Sequence, residues 1–227
     1  MKRLHSGRSF RTLVILLAVS VGLRTVGAQV YAPGARYPST KDDAEFMQGM
    51  IMHHAQAIIM ANWAPSHGAS QTVQVLCARI ALSQTNDIKL MQEWLRVRKF
   101  VVPDSTGKMP KDDMAGMAGM SGMSGMAGMS SSDTAPMMMP GMLTPDQMKL
   151  LDNARGPEFD RLFLTFMIQH HNGALIMVDK LFSSPAGGQD DDIFKFATAV
   201  HADQSAEIDR MKGMLAAARP PAPHSRH

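Results

Sequence analysis

The chain has 227 residues, 45% of them apolar and 19% charged, with a formal net charge of +3. That balance excludes a disordered chain and a multi-span membrane protein, and it leaves room for one modest packed core. One cysteine beside 22 methionines excludes an intramolecular disulfide framework.

Residues 1–28 read as a secretory signal peptide. Lys2, Arg3, Arg8 and Arg11 precede an apolar run from Leu13 to Leu23, and Val26-Gly27-Ala28 forms a small-residue cleavage site before Gln29. The run is shorter than the roughly 20 residues of a bilayer span, so no stable membrane span is expected after cleavage. A periplasmic or secreted location follows. The segment holds five basic residues and no acid, so the mature chain carries 18 Lys and Arg against 20 Asp and Glu, a net of −2. No basic face remains to argue for nucleic acid.

After an N-terminal segment, 29–41, residues 42–103 carry apolar side chains at spacings of three, four and seven, the period of helices. Thr40 and Asp43 have the spacing of a capping box, Pro65 to Ser70 breaks the stretch into a hairpin, and Pro103 closes it. Cys77, within the apolar run Val73 to Leu82, reads as a core thiol, and Trp94 as a core anchor.

Residues 104–142 change composition. Met114, Met117, Met120, Met123, Met126 and Met129 recur every three positions among Gly, Ala and Ser, and Met137, Met138, Met139 and Met142 follow. Such a stretch has too little apolar area to offset the entropy of ordering, so a long flexible linker is expected. In residues 143–218, Thr144-Pro145-Asp146 starts a short helix ending near Gly156-Pro157. A second hairpin then breaks at Ser183 to Gly188, and Asp190 to Asp192 open its last helix. Residues 219–227 form a Pro-rich tail.

The two hairpins repeat one another. Asp43, Phe46, Met50, Ile51, His53, His54, Ala57, Ile59 and Met60 recur 117 positions later as Asp160, Phe163, Met167, Ile168, His170, His171, Ala174, Ile176 and Met177. Ile80, Gln84, Ile88, Met91 and Leu95 answer to Val200, Gln204, Ile208, Met211 and Leu215 at a shift of 120. The expected architecture is therefore all-α, a four-helix bundle of two repeated hairpins.

At about 100° per residue, Met47, Met50, His53, His54 and Met60 share one broad helix face, and Met167, His170, His171 and Met177 share the corresponding face of the second half. Bringing the faces together gathers imidazoles and thioethers, donors that suit copper: soft sulfur favours Cu(I), while imidazole also accepts Cu(II). The linker methionines Met114 to Met129 add further thioethers. His201 is an additional candidate ligand, and Asp43 and Asp160 are candidates to cap their helices or to support a ligand from behind. Copper ions, copper donor or acceptor proteins and further copies of the chain are the partners compatible with this reading. The alternatives are a helical interaction module whose histidines are packed core, and a copper-dependent oxidoreductase. No Cys-x-x-Cys, His-Glu-x-x-His, Gly-x-Ser-x-Gly or Glu-x-x-His occurs, so no enzyme is expected.

The stretch Asp43-x-x-Phe46-Met47-x-Gly49-Met50-Ile51-x-His53-His54-Ala55-Gln56-Ala57 resembles the signature of the domain-of-unknown-function 305 family. Gly156-x-x-Phe159-Asp160-x-x-Phe163-x-x-x-Met167-Ile168-x-His170-His171 matches it again, after Leu143-Thr144-Pro145. The resemblance implies a ferritin-like helical bundle and, because the family includes a periplasmic copper-resistance protein, copper binding at the matching Met and His positions without catalysis. Met52 and Gln169 stand where the family has a proline before the histidine pair, and the linker is richer in methionine than is usual.

Overall fold

The computed structural model describes residues 38–110 and 139–218, and among these it contains helices and no strand. The elements are α1 (Lys41–Asn62), α2 (Gln71–Val97), α3 (Pro145–Asn153), α4 (Gly156–Ser183) and α5 (Asp191–Ala217). The signal peptide 1–28, the linker methionines Met114 to Met129 and the tail 219–227 lie outside the described residues.

Helix starts follow local chemistry. Thr40 and Asp43 form a reciprocal capping box on α1, and Thr144 with Gln147 forms another on α3, which has Pro145 in its first turn. Ser70 caps α2, and the Asp190 carboxylate caps α5 by accepting from the N–H groups of Asp192 and Ile193. Helices α1 and α2 pack as one hairpin, α4 and α5 as the other, and α1 lies against α4 to join them.

Repeat mates hold the two ends together. Asp43 on α1 accepts from Gly188 N–H in the α4–α5 turn at 2.7 Å, and Asp160 on α4 accepts from Ser70 N–H before α2 at 3.1 Å. Each hairpin thus fastens the turn of the other. Apolar residues fill two clusters. One contains Ala57, Met60, Ile80, Phe159, Phe163, Met167 and Met211, and the other Met47, Met50, Met91, Trp94, Ala174 and Val200. The four paired histidines fall between these clusters along both α1 and α4.

Single residues complete the frame. Cys77 is buried, and burial pushes its thiol up to about 12, consistent with a packed core thiol. Trp94 stacks on Phe100 with Arg98 over its ring, and Arg98 pairs with Asp190 at 2.9 Å. His67 is buried in the α1–α2 turn, where its Nε2–H donates to the Asp152 carbonyl at 2.8 Å, so it ties that turn to α3.

Residues flanking the methionine-rich stretch on both sides pack against the bundle. Gln48 and Gln92 donate to the carbonyls of Val101 and Pro103, an Asp104 turn follows, and Gly107 sits against Met52 on α1. At the far end, residues 139–144 form a strap over α1 and α4. Gln56 brackets Leu143, accepting from its N–H at 2.7 Å and donating to its carbonyl at 3.0 Å. Gly141 has φ +76, and a Cβ there would lie 2.6 Å from the Gly173 Cα, so a glycine at each position permits the crossing.

Candidate metal centre

His53 and His54 on α1 and His170 and His171 on α4 are all 0% exposed. The antiparallel packing of α1 on α4 brings His53 and His170 together, with ring centroids 3.8 Å apart. His171 lies beside His170, at 6.3 Å between centroids.

Three of the four rings are oriented by an oxygen acceptor. His53 Nε2–H donates to the Pro140 carbonyl of the strap at 3.0 Å, His54 Nε2–H to the Asp87 carboxylate of α2 at 3.2 Å, and His171 Nε2–H to the Glu207 carboxylate of α5 at 2.7 Å. An acceptor at Nε2 fixes the tautomer, because a neutral imidazole has one N–H and one lone pair. The lone pair is left on Nδ1. Those three Nδ1 atoms are buried without a hydrogen-bond partner, and so are both ring nitrogens of His170. Buried polar atoms seldom stay unpaired, and each such atom costs about 1–3 kcal/mol.

Electrostatics keep the rings ready to coordinate. Burial, and then the neighbouring His54, pulls the His53 pKa from 6.5 to about 3 against the opposing bond to Pro140. Burial and then His53 take His170 well below its usual value. The His53 backbone carbonyl acts in the opposite sense on His170, although it makes no hydrogen bond of ordinary geometry to that ring. Burial also lowers His171, while the bond it donates to Glu207 opposes it. Rings held neutral keep their lone pairs available at neutral pH.

Among the described residues no three His, Cys, Asp or Glu side chains form a ready-made cation site. Met50 and Met167 are fully buried and lie one turn from the histidine pairs on their own helices. Met47 is buried beyond Met50, two turns from His54. Met60 is buried two turns from His53, in the cluster that also holds Met167, Phe159 and Phe163. Met177 is half-buried and reaches across to Gly49 on α1.

The remaining candidates stand elsewhere. Asp43 takes part in the α1 capping box, and Asp43 and Asp160 bind backbone N–H groups at the hairpin turns, about 15 Å along their helices from the histidines. His201 is exposed on α5.

Four polar residues beside the rings were not singled out as site residues from the sequence. Asp87 and Glu207 are related by the same shift of 120 that relates Gln84 to Gln204, and that register was the available signal. Gln84 and Gln204, one turn from those acids, are buried with unpartnered amide atoms.

The model of the family described as a domain of unknown function, DUF305, matches residues 43–215. Among solved structures, a DUF305 protein from Streptomyces coelicolor is 24% identical with a TM-score of 0.60, the match covering 81% of this chain and 97% of that one. CopM in its Cu(II)-bound form is 26% identical with a TM-score of 0.55, over 78% of this chain and 97% of CopM. An uncharacterised protein, L153, of Acanthamoeba polyphaga mimivirus is 30% identical over 95 residues, 42% of this chain, and the matched region spans 57% of that relative's length. With both hairpins inside the matched region, the chain belongs to the DUF305 family.

Proposed function

We propose that this is an exported, periplasmic copper-binding protein that sequesters or hands on copper through imidazole and thioether donors, contributing to copper resistance or homeostasis. One observation carries the reading: five buried imidazole nitrogens on two facing helices have no partner. The fit to a metal is chemical. Each oriented ring leaves a buried Nδ1 lone pair unused while Nε2–H is held by a carbonyl or carboxylate, the arrangement that fixes and strengthens a histidine ligand.

Neutral donors in a dry layer favour a monovalent ion, because a bound Cu(I) leaves a single charge to be buried. Cu(II) is the second guest, and the Asp87 and Glu207 carboxylates behind the rings lower the cost of its extra charge. The similarity to CopM in its Cu(II)-bound form supports copper over zinc. The role is carriage and storage without turnover, with copper donor and acceptor proteins as partners. Among the described residues no helix is long and apolar enough to cross a membrane.

The test is a Cu(I) competition titration of the full chain beside a His53→Ala, His170→Ala variant, with X-ray absorption at the copper edge. The expected result is mixed nitrogen and sulfur scattering, and loss of the tightest equivalent together with the nitrogen contribution in the variant. Unchanged affinity and unchanged scattering would reject the imidazole site.

A further inference from the structure

Outside the histidine layer, two methionine side chains from different elements meet over one glycine. A Cβ placed on Gly49 would lie 3.3 Å from the Met139 sulfur and 3.3 Å from the terminal methyl of Met177. Gly49 is one turn before His53 on α1, so this point lies roughly 6 Å along the helix from the rings. Both methionines are half-buried, whereas the four imidazoles are 0% exposed.

We propose that Met139 and Met177, meeting over Gly49, form a second, solvent-facing soft-metal site for a monovalent d10 cation such as Cu(I) or Ag(I). The choice of metal rests on the copper reading above; the geometry does not. Met139 is held in place by its neighbours. Its carbonyl accepts from Met142 N–H at 3.2 Å, the next residue's carbonyl takes the His53 N–H, and Gln56 fixes Leu143. Met177 comes from α4, and the missing side chain at Gly49 leaves the space both occupy. Two neutral sulfurs suit a soft cation of low coordination number, and neither donor has to lose a proton.

The placement also gives the site a role. A cation arriving from solvent meets sulfur first, and the strap residue that follows Met139 is the one bonded to His53. Passage inward is then a ligand exchange, in which imidazole nitrogen replaces thioether sulfur with no change in oxidation state. Plain gap-filling by flexible methionine is the competing account, and leucine separates the two, since it keeps apolar volume and removes sulfur.

The full chain, labelled with methyl-13C methionine, is titrated with silver nitrate and read by NMR, with Met139→Leu and Met177→Leu assigning the two methyl signals. Both signals should shift at the same equivalent, and the Met177 response in Met139→Leu should weaken at least tenfold in apparent affinity while the far-UV spectrum stays unchanged. A Met177 response that Met139→Leu leaves intact, or a silent signal from either methionine through the titration, overturns the proposal. The His53→Ala, His170→Ala chain is titrated in parallel. Its loss of copper-edge nitrogen scattering with silent methionines removes only the sulfur site, whereas paired methyl shifts with unaltered nitrogen scattering keep the sulfur site and remove the imidazole one.

Discussion

At His54 and His171 the ring N–H is already committed to a carboxylate, so the unshared lone pair of Nδ1 is what each ring has left to give. Removing the acceptor would free the ring to rotate and weaken its basicity. Asp87→Ala and Glu207→Ala should therefore each weaken copper binding about 10- to 100-fold in a competition titration, with little change in helical content. The histidines were legible in the sequence because identical letters recur in an identical frame. Their acceptors were not, because Asp87 and Glu207 differ in letter and each sits among residues that look like an ordinary solvated face. Titration of the rings has its own consequence. His53 sits at about 3 and His170 well below 6.5 in the folded protein, while both titrate near 6.5 when unfolded. Below pH 6.5 the unfolded chain binds more protons than the folded one, so stability present at pH 7.5 is lost progressively as pH falls toward 3. At pH 5 the loss from His53 is about 2 kcal/mol, and His170 acts in the same direction. Urea midpoints of the metal-free protein at pH 7.5 and 5 should show it, and His53→Leu with His170→Leu should flatten the difference.

Among the elements, the four long helices announce themselves through periodicity and three of them also through caps, since Thr40 with Asp43, Ser70 and Asp190 mark starts that the structure keeps, while α4 has no side-chain cap. The strap over α1 and α4 gave no such sign. It is held by side-chain amides and by backbone passing close to glycine, and neither leaves a repeating pattern for a sequence to display. Its weak point is Gly173, where any Cβ would collide with the Pro140 carbonyl. Gly173→Ala should therefore lift residues 139–142 from α4, break the bond from His53 to Pro140 and destabilise the protein by about 1–3 kcal/mol. Denaturant unfolding measures the cost, and limited proteolysis should find a new cut near Gly141. A variant that unfolds at the wild-type midpoint and resists cleavage would mean that the strap contributes nothing to the fold.

For the molecule as a whole, the question is what joins the two hairpins. Asp43 and Asp160 already fasten the turns at opposite ends, and apolar clusters fill the space on both sides of the histidines, so the metal-free chain has a complete set of contacts. The layer in the middle is different, because there the rings of His53 from one hairpin and His170 from the other lie 3.8 Å apart between centroids and carry buried nitrogens without a partner. A cation bound to both rings ties the hairpins where polar atoms now oppose packing. Because the unfolded chain cannot hold His53 and His170 side by side, binding there is selective for the folded state and must raise its stability by mass action. At a free metal concentration 100 times the dissociation constant the gain is about 2.7 kcal/mol, which in a chain of this size is a rise in Tm of roughly 5–10 °C. Thermal unfolding with and without buffered Cu(I) measures it. Replacing both rings, as His53→Ala with His170→Ala, should abolish most of the rise. If those histidines served only as core, the double substitution would instead change the Tm of the metal-free protein and leave the copper-induced increment as it was.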